Sequence, residues 1–236
     1  MNRKISFFCF FLAIINVVYS QNNFYRAVYD GDIDYIYRYY INSRYPNEHF
    51  EFSNSDLRIL RNTIYAKHGY IFRSRDLQEH FQKFEWYSGT KENVENELSE
   101  NELRIIRIIT ATERANPPVP EDLIGLWQTP APPGSDAVTL GFIPLNLHRN
   151  GTMQVHGNDG FWSLEGTTFR SRLYNGNSYN PPEGFEEVTN FRVNFVEYNG
   201  ELYKVCKFFK EISYDWEFYG PNRRPSAEHW GYREQK

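Results

Sequence analysis

Histidine, cysteine, paired acids and exposed aromatic rings are the residues from which a site is built, and the sequence offers each of them sparingly. Among six histidines, His49, His68 and His80 are spaced too widely for a zinc pattern and no cysteine joins them. His148 and His156 flank Asn150-Gly151 and would face one another across two strands, yet two imidazoles alone seldom hold a metal. Cys206 stands in an alternating strand pattern with no base nearby in sequence, which makes it a small buried hydrophobe. Glu186-Glu187 reads as a solvated polar turn, and nothing fixes the separation that acid–base chemistry requires. Nucleophile elbow, phosphate loop and His-Glu-x-x-His patterns are absent from the sequence. The reading is therefore of a protein that is not an enzyme and has neither cofactor nor metal. Arg61, Tyr65, His68, Trp86 and Tyr87 are left as candidate binding residues, for rings that stack on a ligand and polar groups that orient it.

These residues need a scaffold. Leu57, Leu60 and Ile64 recur at three- and four-residue spacing, and Ser53 with Asp56 forms a capping box at the start of that face. Lys67 and His68 fall in the last helical turn, where cations are favoured, and Gly69 supplies the left-handed residue that ends it. At that position the His68 imidazole is placed to cap carbonyls and pack against aromatics, while Arg61 and Tyr65 bond nearby carbonyls. A second helix carries Leu77, Phe81 and Phe84 on one face, with Ser74 or Asp76 at its opening amides. It stops near Phe84-Glu85-Trp86-Tyr87-Ser88-Gly89, where Trp86 plugs the space between the second and third helices. Ser99 with Glu102 caps the third, whose buried side is read as Leu103, Ile106 and Ile109.

The motif Tyr65-Ala66-Lys67-His68-Gly69, with the Trp86-Tyr87 pair that follows, resembles the YARHG domain over about residues 53–114, with Lys67 in place of the usual arginine. That resemblance implies an extracytoplasmic bacterial domain of the kind found attached to peptidases and binding domains, and hence an accessory role near the wall or surface.

Ahead of this domain, Arg3 and Lys4, the apolar run Ile5–Val18 and the site Val18-Tyr19-Ser20 have the form of a secretory signal over residues 1–20, with no membrane span after cleavage. Residues 21–52 form a short helical lead-in, in which Arg26 to Ile36 resembles one helix-turn-helix step of an ankyrin repeat, too little for a solenoid. With 26 Lys and Arg against 30 Asp and Glu, the chain's formal charge is −4, which argues against nucleic acid as a partner. Loss of Cys9 with the signal leaves Cys206 without an intrachain disulfide partner, so the protein relies on packed cores.

Three prolines in Asn116–Pro120 exclude a helix there and mark residues 115–121 as a linker. Beyond it, Asn150-Gly151, Asp159-Gly160, Asn175-Gly176 and Asn199-Gly200 have hairpin form, and alternating strands surround them. The fold class is thus α+β in two domains, a helical one and, over residues 122–236, an antiparallel barrel-like meander. Gly125-Leu126-Trp127 and Phe161-Trp162 are similar to the strand signatures of lipocalin-like barrels. The resemblance implies inward Phe191, Val193, Phe195, Leu202, Cys206 and Phe208, lining a hollow in a carrier of a small apolar ligand, or touching one another in a filled barrel, the expected case. The functional expectation is a secreted or periplasmic, non-catalytic binding module whose partner is a cell-wall component or another envelope protein. The alternatives are the carrier and, behind it, an envelope hydrolase with its cleft between the domains.

Overall fold

A computed structural model describes residues 27–32, 52–129, 143–155, 158–173, 186–198, 200–209 and 229–234. The expected signal, His49, His156, Asn199 and the Asn175-Gly176 turn lie outside the described residues, as does all of the ankyrin-like segment except residues 27–32. Contacts divide the chain into two compact units between Glu113 and Arg114.

In the first unit, α1 (Asn54–Lys67) starts at a closed capping box: the Asp56 N–H donates to Ser53 Oγ at 3.2 Å and the Ser53 N–H donates to Asp56 Oδ2 at 2.9 Å. Leu57, Leu60 and Ile64 are buried, as their spacing predicts. Asn62 and Thr63 are buried beside them and donate to the helix's own carbonyls of Arg58 and Ile59, so no donor is stranded on that face. Helix α2 (Arg75–Phe81) buries Leu77 and Phe81 and ends before Phe84, which packs from beyond the helix. Ser74 precedes it without capping a main-chain amide; its hydroxyl is held between Arg58 and Asp76 instead.

Helix α3 (Glu100–Arg114) opens with the capping box of Ser99 and Glu102, but its buried face is Glu102, Ile105, Ile108, Ile109 and Thr112. The expected stripe was off by a fraction of a turn, and Leu103 is half exposed at 49%. Isoleucine pairs at 105–106 and 108–109 fit two adjacent stripes equally well, and the choice is made by Glu102, whose carboxylate is drawn inward by His68.

The second unit begins with a correction to the proline run. Pro120 is the first residue of a short helix α4 (Pro120–Leu123), a position where the missing N–H costs nothing. Among the described residues nine antiparallel strands follow: β1 (Gly125–Thr129), β2 (Ile143–Leu147), β3 (Thr152–Val155), β4 (Asn158–Glu165), β5 (Thr168–Leu173), β6 (Glu186–Val188), β7 (Val193–Tyr198), β8 (Glu201–Phe209) and β9 (His229–Glu234). Their order is β6-β5-β4-β3-β2-β1-β9-β8-β7, an open sheet rather than the closed, lipocalin-like barrel expected. At Val193, the first residue of β7, a side chain meets the strand edge. Asn116 Nδ2 donates to the Val193 carbonyl at 2.6 Å, and the Val193 N–H donates to Asn116 Oδ1 at 3.0 Å, so an amide takes the groups that another strand would pair with.

The sheet's core is filled by rings. Phe208 meets Trp127 at 5.0 Å and Phe169 at 5.3 Å between centroids, and Phe169 stacks on Phe191 at 5.1 Å. Of the six residues expected to point inward, Phe191, Val193, Phe195, Cys206 and Phe208 are buried and Leu202 is half-buried. Asn194 and Val205, on the opposite alternation, are buried as well, so β7 and β8 are covered on both faces.

Two turns differ from expectation. Asp159-Gly160 lies inside β4, where a Cβ on Gly160 would stand 2.4 Å from the Arg172 carbonyl oxygen, so glycine serves close strand approach there. Glu186-Glu187 belongs to β6 rather than to a turn, and Arg170 Nε donates to Glu187 at 2.9 Å.

Candidate functional site

Each residue of the Tyr65–Gly69 stretch makes a different contact. Gly69 has φ +82°, and its N–H donates to the Ala66 carbonyl at 2.9 Å while the Tyr70 N–H donates to that of Tyr65 at 3.1 Å, the paired bonds of a Schellman end. The Gly69 carbonyl in turn accepts the N–H groups of Thr90 and Lys91, and the Ile71 N–H donates to the Lys91 carbonyl at 2.8 Å, so a parallel bridge between Tyr70 and Lys91 staples the returning loop to the helix end. A Cβ on Gly69 would stand 3.1 Å from both the Ser88 carbonyl oxygen and Thr90 Oγ1. Ala66 is buried against Phe72, Leu77 and Phe81. Tyr65 packs at the margin of the same cluster, and burial raises its phenol pKa.

His68 does not cap the carbonyls of its helix. Its Nε2 lies 2.7 Å from Glu102 Oε1, while the other carboxylate oxygen accepts the Ser99 N–H and hydroxyl, each at 2.7 Å. Burial pushes the Glu102 pKa up, but the bonds from His68 and Ser99 outweigh it and hold the carboxyl below its ordinary value. A carboxylate on an imidazole is the orienting half of many acid–base sites. Here the same carboxylate closes the α3 capping box, so the pair fastens the end of α1 to the start of α3. Arg61 makes a second tie to α3, through Glu113 at 2.7 Å rather than to a carbonyl.

The two aromatic candidates are also engaged. Trp86 stacks on Phe84 at 5.5 Å with 10° between planes, carries Lys67 Nζ at 4.9 Å from its ring centroid, and donates its indole N–H to the Tyr29 carbonyl at 2.7 Å. It therefore packs on the α1–α2 side, against the Phe81 cluster, rather than between the second and third helices. Tyr87 donates its hydroxyl to the Tyr70 carbonyl at 2.8 Å and tilts against Phe72 and Phe81.

Tyr65, Trp86 and Tyr87 are thus brought together around one cluster, whereas Arg61 and His68 are spent at separate points along α3. The sequence reading missed Glu102 and Glu113 as their partners, and Lys67, Tyr29 and Gly31 around Trp86. Glu102 was visible as a capping residue, but a capping box does not reveal where the second carboxylate oxygen points. Among the described residues no group of three His, Cys, Asp or Glu is placed to hold a metal ion, and no described helix is long and apolar enough to cross a membrane.

Over residues 52–114 the first unit is by these features three α-helices built on a stapled helix-terminating corner. The family model for the YARHG domain matches residues 33–114, and that stretch of the chain is a YARHG domain. The match begins ahead of Ser53, where the motif-based boundary falls. No curated protein and no solved structure matches the chain.

Proposed function

We propose that this protein is a non-catalytic accessory module that works outside the cytoplasm in the bacterial cell envelope, with its YARHG domain as the part that engages another envelope component. The YARHG family supports the extracytoplasmic setting and the absence of catalysis. The observation that carries the reading is the use made of Tyr65–Gly69: every residue of the motif holds a helix end, a loop or a ring in place, which is what a rigid binding platform requires. The aromatic filling of the sheet weighs against the carrier alternative, because Trp127, Phe169, Phe191 and Phe208 occupy the volume that an apolar ligand would need.

Fractionation of a tagged full-length chain in a bacterial host tests the setting. The expected result is recovery from the extracytoplasmic fraction, beginning after Ser20 and sedimenting in part with isolated envelopes. Recovery from the cytosol with Met1 retained would overturn it. Titration of the purified chain with a fluorescent fatty acid is expected to give no saturable binding; micromolar saturation would restore the carrier.

A further inference from the structure

His80, near the end of α2, is a titratable group that neither the helix-end corner nor the proposed function uses. Its ring stands edge-on to Phe81 at 5.0 Å and to Phe84 at 5.4 Å between centroids, and Phe84 in turn stacks on Trp86. The Nε2 atom is buried and has no hydrogen-bond partner. A neutral imidazole tolerates that, because the buried nitrogen then carries only a lone pair. Protonation sets an N–H there with no acceptor, which incurs the cost of an unsatisfied buried donor.

The charges around the ring do not offset that cost. On α2 itself Asp76 pairs with Arg58 and Glu79 with Arg75, while Lys83, one turn on, has the same sign as an imidazolium. From α1, Lys67 lies over Trp86. Glu85 follows Phe84, and Asp30 and Asp32 follow Tyr29, whose ring meets Phe84, but none of these acids reaches the buried nitrogen. Burial first and Lys83 second hold the His80 pKa below the ordinary histidine value, against the preference of a last-turn position for a cation. The neutral ring therefore contributes stability that is fully present above the unfolded value of about 6.5 and is lost as pH falls through the lower folded value. The element it sits on has few local holds. Helix α2 is seven residues long, no side chain caps its first amides, and its far end rests on the Gln82 N–H to the Gln78 carbonyl and the Phe84 N–H to the Phe81 carbonyl, each at 3.0 Å.

We propose that His80 is an acid-operated release for the aromatic end of α2: a proton taken up at Nε2 drives the ring away from Phe81 and Phe84 and loosens the Phe84–Trp86 stack. The device acts whatever the domain binds, so it stands or falls apart from the binding-module reading.

Hydrogen exchange of the full-length chain, read by mass spectrometry and corrected for the intrinsic pH dependence of exchange, tests it. Protection of residues 75–87 is expected to fall about threefold or more from pH 7 to pH 5, because each pH unit between the unfolded and folded pKa values favours opening by up to tenfold. Residues 100–114 are expected to change less, since Glu102 titrates below the ordinary carboxylate value and its loss comes at lower pH. His80→Phe puts a ring without nitrogens in the same place, and His80→Gln a neutral polar group; in whichever variant folds, the extra loss at 75–87 is expected to vanish. Unchanged protection of 75–87 at pH 5, or an equal loss in the folded variants, would overturn the proposal.

Discussion

Gly69 and Glu102 are the two residues on which the helix-end corner turns, and each permits a direct test. At Gly69 any side chain must adopt φ +82° and also meet the Ser88 carbonyl oxygen and Thr90 Oγ1 at 3.1 Å. Gly69→Ala is expected to lower unfolding stability by about 1–3 kcal/mol, read from the urea midpoint, since the left-handed region alone costs roughly 1–2 kcal/mol for a residue with a Cβ. Glu102 sets a pH dependence. Its pKa is depressed in the folded state, so it contributes stability that is fully present above the unfolded glutamate value of about 4.3 and is lost as pH falls through the lower folded value. Urea midpoints measured from pH 7 down to pH 3 should therefore fall more steeply for the unmodified protein than for Glu102→Gln. Asp76 is depressed in the same direction by Arg58, and it is unchanged between the two proteins, so the difference between their curves isolates Glu102. Parallel curves would show that the His68 and Ser99 bonds do not favour the ionised carboxylate.

At the scale of elements, α3 presents the sharpest choice. Its two adjacent apolar stripes make Leu103 and Ile108 equal candidates for the core by sequence, while the fold buries Ile108 completely and leaves Leu103 half exposed. Ile108→Ala is expected to cost about 2–5 kcal/mol through lost burial and the cavity it leaves, whereas Leu103→Ala should stay within about 0.5 kcal/mol. Comparable losses at both positions would put the helix in the other register. The edge of β7 is a second element-scale feature. Asn116→Ala removes both bonds to Val193 and leaves a main-chain N–H and carbonyl without that partner, with an expected loss of roughly 1–3 kcal/mol. Asn116→Asp keeps the acceptor for the Val193 N–H but sets a carboxylate oxygen against its carbonyl at a buried position, so an equal or larger loss is expected at neutral pH; no loss in either variant would mean the edge is held by other contacts.

For the whole molecule, the compact units on either side of Glu113/Arg114 are expected to melt as separate transitions. Ile108→Ala should lower the midpoint of one and Trp127→Ala that of the other, in differential scanning calorimetry of the full chain. A single transition shifted by both substitutions would show one cooperative body. Limited proteolysis between Arg114 and Glu121 is expected to be slow, contrary to a free linker, because Asn116 is buried in the second unit and Pro120 begins a helix. Asn116→Ala should speed that cleavage.

The sequence by itself determined the local features: both capping boxes, the helix-ending glycine, the family motif, the α+β character and the burial of Phe191, Val193 and Phe208. These are legible because they depend on neighbours within a few residues, through cap geometry, φ preference and side-chain period. The tertiary structure alone decided what those residues touch. His68 finds Glu102 thirty-four positions away, Trp86 finds Tyr29 fifty-seven away, and Asn116 finds Val193 seventy-seven away. Such pairings carry no signal at fixed spacing. The open sheet was hidden for the same reason, since each strand shows its alternation whether or not the edge strands β6 and β7 pair with one another.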